Sequence, residues 1–152
     1  MNITAMYFSG TGTTKKVTAA IADELTEIKI SQDETAADEN PGSIKAGIKP
    51  WQRAADIDFT PPAPRREIYR FTPDDLVVFG VPVIAGRVPN VLLKFLDTLQ
   101  GGGALAVPVV LYGNRNFDDA LIELRNILQD RGFYAIGAAA FIGEHSFSRI
   151  LA

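Results

Sequence analysis

The chain has 152 residues, 47% of them apolar, and a formal net charge of −3; that is one domain with enough apolar material for a core, and a poor match for nucleic acid or an anionic membrane surface. It has no cysteine and one histidine, which excludes disulfides, thiolate zinc sites, iron–sulfur clusters, a catalytic cysteine and a His-rich metal site. No apolar run approaches the roughly 20 residues of a membrane span, and "MNITAMYF" at residues 1–8 lacks the basic and long apolar regions of a secretion signal, so a cytoplasmic location is expected.

The elements alternate along the chain. "NITAMYF" (2–8) reads as a buried strand, and a helix follows over Thr13–Leu25 with Val17, Ala20, Ile21 and Leu25 on one face. Residues 28–66 carry weaker signals. "SQDETAADENPGS" holds four acidic residues and "FTPPAPRR" three prolines. A polar excursion is expected at about 28–52, because that stretch is longer than the connection requires, with a short strand in "ADIDF" (55–59). "LVVFG" (76–80) is a clear strand. "PNVLLKFLDTL" (89–99) is a helix ended by "GGG" (101–103). "ALAVPVVLY" (104–112) is another strand, in which Pro108 suits a strand start or a bulge. "DDALIELRNILQDRG" (118–132) is an amphipathic helix closed by Gly132, and "FYAIGAAAFIG" (133–143) is the last strand. Continuously apolar strands alternating with helices predict a parallel sheet covered on both faces.

Such a sheet opens a crevice at the carboxyl ends of its strands, and "YFSGTGTT" (7–14) leaves the first strand there. Amide groups at a helix N-terminus are unpaired and favour an anion. Gly10 and Gly12 let backbone approach closely, while Ser9, Thr11, Thr13 and Thr14 add hydroxyls. Lys15 stands where both the P-loop and the dinucleotide fingerprint need a glycine. What remains is a hydroxyl-and-amide nest without an internal cation, which suits the phosphate of flavin mononucleotide (FMN). The plain alternative is a polar turn that caps a helix.

Two more loops leave the same edge: "VPVIAGRVPN" (81–90) and "GNRNFDDAL" (113–121). A flavin ring needs apolar walls and backbone hydrogen bonds. Val83, Ile84 and Phe117 are candidate walls, and the backbone of Ala85, Gly86 and Arg87 and of Gly113, Asn114, Arg115 and Asn116 is the candidate edge contact. Arg87 or Arg115 would offset charge on a reduced flavin. Pro82 shapes the first of these loops. Taken singly, each of these residues also fits a turn, a cap or a solvated charge. "GEHSFS" (143–148) leaves the last strand at this edge, where His145 reads more simply as a structural or surface residue.

With "YFSGTGTTKKV", "VVFGVPVIAGRVPN", "YGNRNFDDAL" and "IGEHSFS", the chain resembles the FMN-binding domain of the flavodoxin superfamily, and more closely the flavodoxin-like domain of bacterial flavodoxin–ferredoxin fusion proteins. The resemblance covers residues 1–30 and about 55–148. It implies a single-domain three-layer sandwich with a five-stranded parallel sheet of order 2-1-3-4-5, an order for which flavodoxin itself is a standing example. It implies that Ser9, Gly10, Thr11, Gly12, Thr13 and Thr14 hold the phosphate and that Pro82 to Arg87 and Gly113 to Phe117 flank the ring. Ile84 stands where the family usually has an aromatic residue, and the Cys-rich ferredoxin part has no counterpart here.

The leading expectation is an FMN-binding electron-transfer flavoprotein. It would serve a redox partner that is ferredoxin-like or a reductase. The alternatives are an NAD(P)H-dependent flavin or quinone reductase, for which no nicotinamide motif is present, and a flavodoxin-fold module without cofactor, against which the hydroxyl pattern argues. A response-regulator receiver would need an acidic cluster after the first strand and an Asp ending the third, and "FSGTG" and "VFGVP" offer neither.

Overall fold

A computed structural model of the chain describes residues 1–39, 51–113 and 118–142. Strand β1 (Asn2–Tyr7) leads into helix α1 (Thr13–Glu39). Two short strands follow, β2 (Gln52–Arg53) and β3 (Ile57–Asp58), then a single 3-10 turn at Pro64–Arg66. Strand β4 (Asp75–Pro82), helix α2 (Asn90–Leu96), strand β5 (Leu105–Tyr112) and helix α3 (Asp118–Asp130) complete the middle of the fold. Strands β6 (Tyr134–Ala135) and β7 (Ala139–Ile142) come last.

All strand pairs are parallel. The sheet runs β2-β1-β4-β5-β6, with β3 also beside β1 and β7 also beside β5. The seven strands therefore form five lines in the expected order 2-1-3-4-5, each outer line being broken once. Helix α1 covers one face, over Ile3, Ala5, Tyr7, Leu76 and Val78. Helices α2 and α3 cover the other, over Met6, Val77, Phe79, Val81 and Val110. Strict alternation of β1 and β4 residues between the two cores follows from the period of two along a strand.

The breaks in the outer lines have a common form. Ile3 pairs with Arg53 and Met6 with Ile57, so Ala54, Ala55 and Asp56 stand opposite only Thr4 and Ala5. Ala106 pairs with Ala135 and Val109 with Ala139, so Ile136, Gly137 and Ala138 stand opposite only Val107 and Pro108. Each is a one-residue bulge. The second has a visible cause. The carbonyls of Ala104 and Ala106 accept the N–H groups of Tyr134 (2.8 Å) and Ile136 (3.0 Å), so alternate residues of β5 face this edge. Pro108 is the next of them, and it has no N–H to offer. The sequence reading of one continuous last strand is corrected accordingly, whereas the short strand expected within residues 55–59 is β3, preceded by the unforeseen β2.

Helix α1 is longer than the sequence reading allowed. It continues through residues 26–39 to Glu39, so the first part of the expected polar excursion is helix. Polarity does not stop a helix; Gly and Pro do, and neither occurs between Gly12 and Pro41. Residues 40–50 of that stretch lie outside the described residues. Within the first turns Val17, Thr18 and Ala22 are buried, whereas Ala20, expected on the inner face, is exposed. No helix among the described residues is long and apolar enough to cross a membrane.

Helix α1 approaches β4 at Gly80. A Cβ at Gly80 would overlap Thr18 Oγ1 and lie 3.2 Å from Thr14 Cγ2. Thr18 is fully buried, and its hydroxyl finds no hydrogen-bond partner among the described residues. The missing side chain at Gly80 thus sets how closely the first turns of α1 sit on the sheet.

Candidate functional site

Among the described residues, four segments leave the carboxyl ends of strands: 8–12 after β1, 59–66 after β3, 83–87 after β4, and Gly113 after β5. The connections from β1 and from β4 lead to opposite sides, so the crevice lies between these two strands. Phe8 N–H donates to Gly80 O (3.1 Å), which joins the two strand ends there.

The first loop carries the hydroxyls. Gly10 and Thr11 are exposed, while Thr13 and Thr14 are buried at the start of α1. Gly12 has φ +92°, a left-handed conformation that favours glycine. A Cβ at Gly10, Gly12 or Gly113 would meet nothing within 4 Å among the described residues. The first turn of α1 has no acidic residue. Ser9 shapes the loop from within, because its Oγ accepts from Lys15 N–H (3.1 Å) across the loop. Its hydroxyl proton remains a donor.

The loop after β3 was not foreseen as part of this edge. Ser9 N–H donates to Thr60 Oγ1 (2.8 Å), and Thr60 N–H donates to Asp58 Oδ1 (2.9 Å). Arg65 donates from Nη1 to Phe59 O (3.1 Å) and Thr60 O (2.8 Å), and its guanidinium lies 5.6 Å from the Phe8 ring centroid. Phe8 in turn rests on Phe59 (centroids 6.4 Å apart), which is fully buried and stacks on Phe79 at 5.2 Å. An aromatic chain therefore runs from the core to the residue before Ser9. The one available signal was position: "FTPPAPRR" follows a strand, as the other edge loops do.

A polar cluster holds the bulge just behind this loop. Arg53 donates to Asp23 Oδ1 (2.8 Å), Asp56 Oδ1 (2.6 Å) and Ala54 O (2.7 Å), and Tyr7 O–H donates to Asp56 Oδ2 (3.0 Å). Burial, then the bond and the negative charge at Asp56, push the Tyr7 phenol up to about 12. Tyr7 is 2% exposed. The folded protein thus holds this proton more tightly than the unfolded chain. The stabilisation is fully present below pH 10, the ordinary value, and is lost as pH rises towards about 12. Its full size is on the order of 2–3 kcal/mol. Melting temperature followed from pH 9 to 12 is expected to fall more steeply in the wild type than in Tyr7→Phe; parallel curves would exclude this role.

In the third loop, Ile84 N–H donates to Arg87 O (2.9 Å) and Arg87 N–H to Ile84 O (3.0 Å). Ala85 (φ +53°) and Gly86 (φ +77°) form the turn between them. Left-handed residues at both central positions are the mark of a type I′ turn. Glu123 of α3 clamps it, accepting from Arg87 Nη2 (2.9 Å) and from Val88 N–H (2.8 Å). Arg87 is thereby tied to a carboxylate and is not an isolated positive charge. Pro82 and Val83 are half-buried, whereas Ile84 is 56% exposed. Ala85 carries a left-handed cost of about 1–2 kcal/mol, part of which glycine's looser unfolded chain would offset. Ala85→Gly is expected to raise stability by about 0.5–1 kcal/mol in urea melts, and a loss would show that the turn is not strained.

Asn114, Arg115, Asn116, Phe117 and His145 lie outside the described residues. Among the described residues, no group of three or more His, Cys, Asp or Glu side chains is placed to hold a metal ion.

Comparison with solved structures then bears on the architecture. An archaeal flavodoxin superimposes with a TM-score of 0.61 at 14% identity, over 99% of this chain and 90% of its own. The fold is flavodoxin-like. A Lactobacillus acidophilus flavoprotein in complex with FMN superimposes with a TM-score of 0.52 at 14% identity, over 98% of this chain and 95% of its own. A Synechocystis flavodiiron core matches with a TM-score of 0.52 at 17% identity, over 95% of this chain and 31% of its own. No protein-family description and no curated protein matches the sequence. Within the flavodoxin-like fold, residues 8–14 occupy the first strand-to-helix turn, at the switch point between β1 and β4.

Proposed function

We propose that the chain binds FMN non-covalently and transfers electrons. One observation carries this reading: the loop at the switch point combines four hydroxyl residues with Gly10 and Gly12, beside which no described residue lies within 4 Å of an added Cβ, and no acid in the helix turn behind it. The donor set fits a phosphate dianion, which helix N-terminal amides and hydroxyls hold without a cation in the loop. Ser9, Thr11, Thr13, Thr14 and the amides around Gly10 and Gly12 would hold the phosphate. Pro82 to Arg87, with Gly113 to Phe117, would flank the ring. Bound FMN would supply one- and two-electron chemistry, and the protein its affinity and potential. The likeness to a flavoprotein that binds FMN supports the choice of flavin. A ferredoxin-like protein or a reductase is the proposed redox partner, in keeping with the resemblance to the flavodoxin-like domain of the fusion proteins.

The deciding experiment is the visible spectrum of purified protein before and after adding FMN. Flavin absorption that stays with the protein, or saturable quenching of added FMN, is the expected result. Neither a bound flavin nor binding would end this reading and leave residues 9–14 as a helix cap.

A further inference from the structure

The loop after β3 makes contacts that its role as a connection does not require. We infer that Thr60 and Arg65 are positioning residues for the FMN phosphate, an inference that rests on the flavin reading above. The Ser9 amide precedes the glycine loop, and its orientation sets the direction in which Gly10 to Gly12 run. Thr60 Oγ1 fixes that amide at 2.8 Å. Thr60 itself is fixed twice, by Asp58 on its amide and by Arg65 on its carbonyl. Having accepted one bond, its hydroxyl keeps a proton to donate. Arg65 spans the Phe59 and Thr60 carbonyls and lies over Phe8, so its charge is held beside the residue that leads into the phosphate loop. Residues 9–14 contain no cation. Arg65 supplies one from a different element, where it attracts a dianion without occupying the nest.

This assigns phosphate selectivity to a loop three elements away in sequence. It predicts a difference between FMN and riboflavin, which share the ring and differ in the phosphate. Both affinities are to be measured by fluorescence quenching on the full chain, for wild type, Thr60→Val, Thr60→Ser and Arg65→Gln. Thr60→Val is expected to weaken FMN roughly tenfold, the loss of one well-placed polar contact, with riboflavin changed less than about twofold. Thr60→Ser keeps the hydroxyl and is expected to restore FMN affinity. Arg65→Gln is expected to weaken FMN and to flatten its dependence on salt.

Equal losses for both flavins in Thr60→Val, or no loss for either, would overturn the inference while leaving the flavin reading intact. So would failure of Thr60→Ser to recover FMN binding. A wild-type protein that binds neither flavin overturns the inference together with the reading beneath it. Melting curves of all four proteins establish that the comparison is between folded chains.

Discussion

Gly80→Ala is expected to cost about 3 kcal/mol of stability, a large share of the roughly 5–15 kcal/mol that a domain of this kind possesses. The added Cβ overlaps Thr18 Oγ1 and presses on Thr14 Cγ2 at 3.2 Å. Neither neighbour has room to retreat, since Thr14 is 4% and Thr18 0% exposed. Relief requires the first turns of α1 to lift off β4, which drags the hydroxyl loop with them. The effect has a specific rescue. Thr18→Ala removes the overlapping oxygen, which has no partner to lose among the described residues. The double variant should regain about 1–3 kcal/mol relative to Gly80→Ala, a coupling normal for residues in contact. Urea melts of the wild type, both single variants and the double variant measure it. A double variant no more stable than Gly80→Ala would show that the cost arises elsewhere.

Gly10→Asp should do the reverse: spare the fold and remove the function. Gly10 is exposed, its φ is not positive, and a Cβ there meets nothing within 4 Å among the described residues. Stability should therefore change by less than about 1 kcal/mol. The new carboxylate, however, sits in the open cradle. A single negative charge about 5 Å from a phosphate dianion costs close to 2 kcal/mol even at the dielectric constant of water, and more where the site excludes solvent. FMN affinity should fall about twentyfold or more, while riboflavin, lacking the phosphate, should lose little. Isothermal titration with both flavins decides the matter. Unchanged FMN binding by a folded Gly10→Asp protein would move the phosphate away from residues 9–14.

Most of the architecture was legible because it depends on short-range patterns. The apolar runs of β1, β4 and β5 are central strands buried on both faces, and central parallel strands announce themselves by composition. The outer lines were read only in part: the strands expected at 55–59 and 133–143 contain β3 and β6–β7, while β2 and both breaks went unread. Gln52–Arg53 and Ile57–Asp58 are each two residues long and interrupted by a bulge, and no periodicity survives in so short a segment. The extension of α1 past Leu25 was hidden because a run of polar residues reads as a loop when only charge is read.

In the candidate site, residues 9–14 were visible through local chemistry, since hydroxyls and glycines between a strand and a helix are unusual in themselves. Thr60, Arg65 and Glu123 were not. Each acts on a segment distant in sequence: Thr60 on Ser9, Arg65 beside Phe8, Glu123 on Arg87 and Val88. A carboxylate that pins a turn 35 residues away leaves no mark in its own neighbourhood. Arg87 was legible only in part: read alone it was a charge available to a flavin, and its ion pair with Glu123 on α3 left no mark in the sequence.

The two bulges bear on how the molecule behaves in a crowd. A sheet ending in a long straight strand invites a neighbour's backbone to add to it, and repetition of that step builds fibres. Neither described edge offers more than four consecutive residues of regular strand. One edge carries Arg53 and Asp58 as well, charges that a second copy would have to bury or oppose. The missing donor at Pro108 keeps the other described edge line short, and restoring a plain strand at 136–138 is expected to raise the tendency of concentrated protein to pair edge to edge.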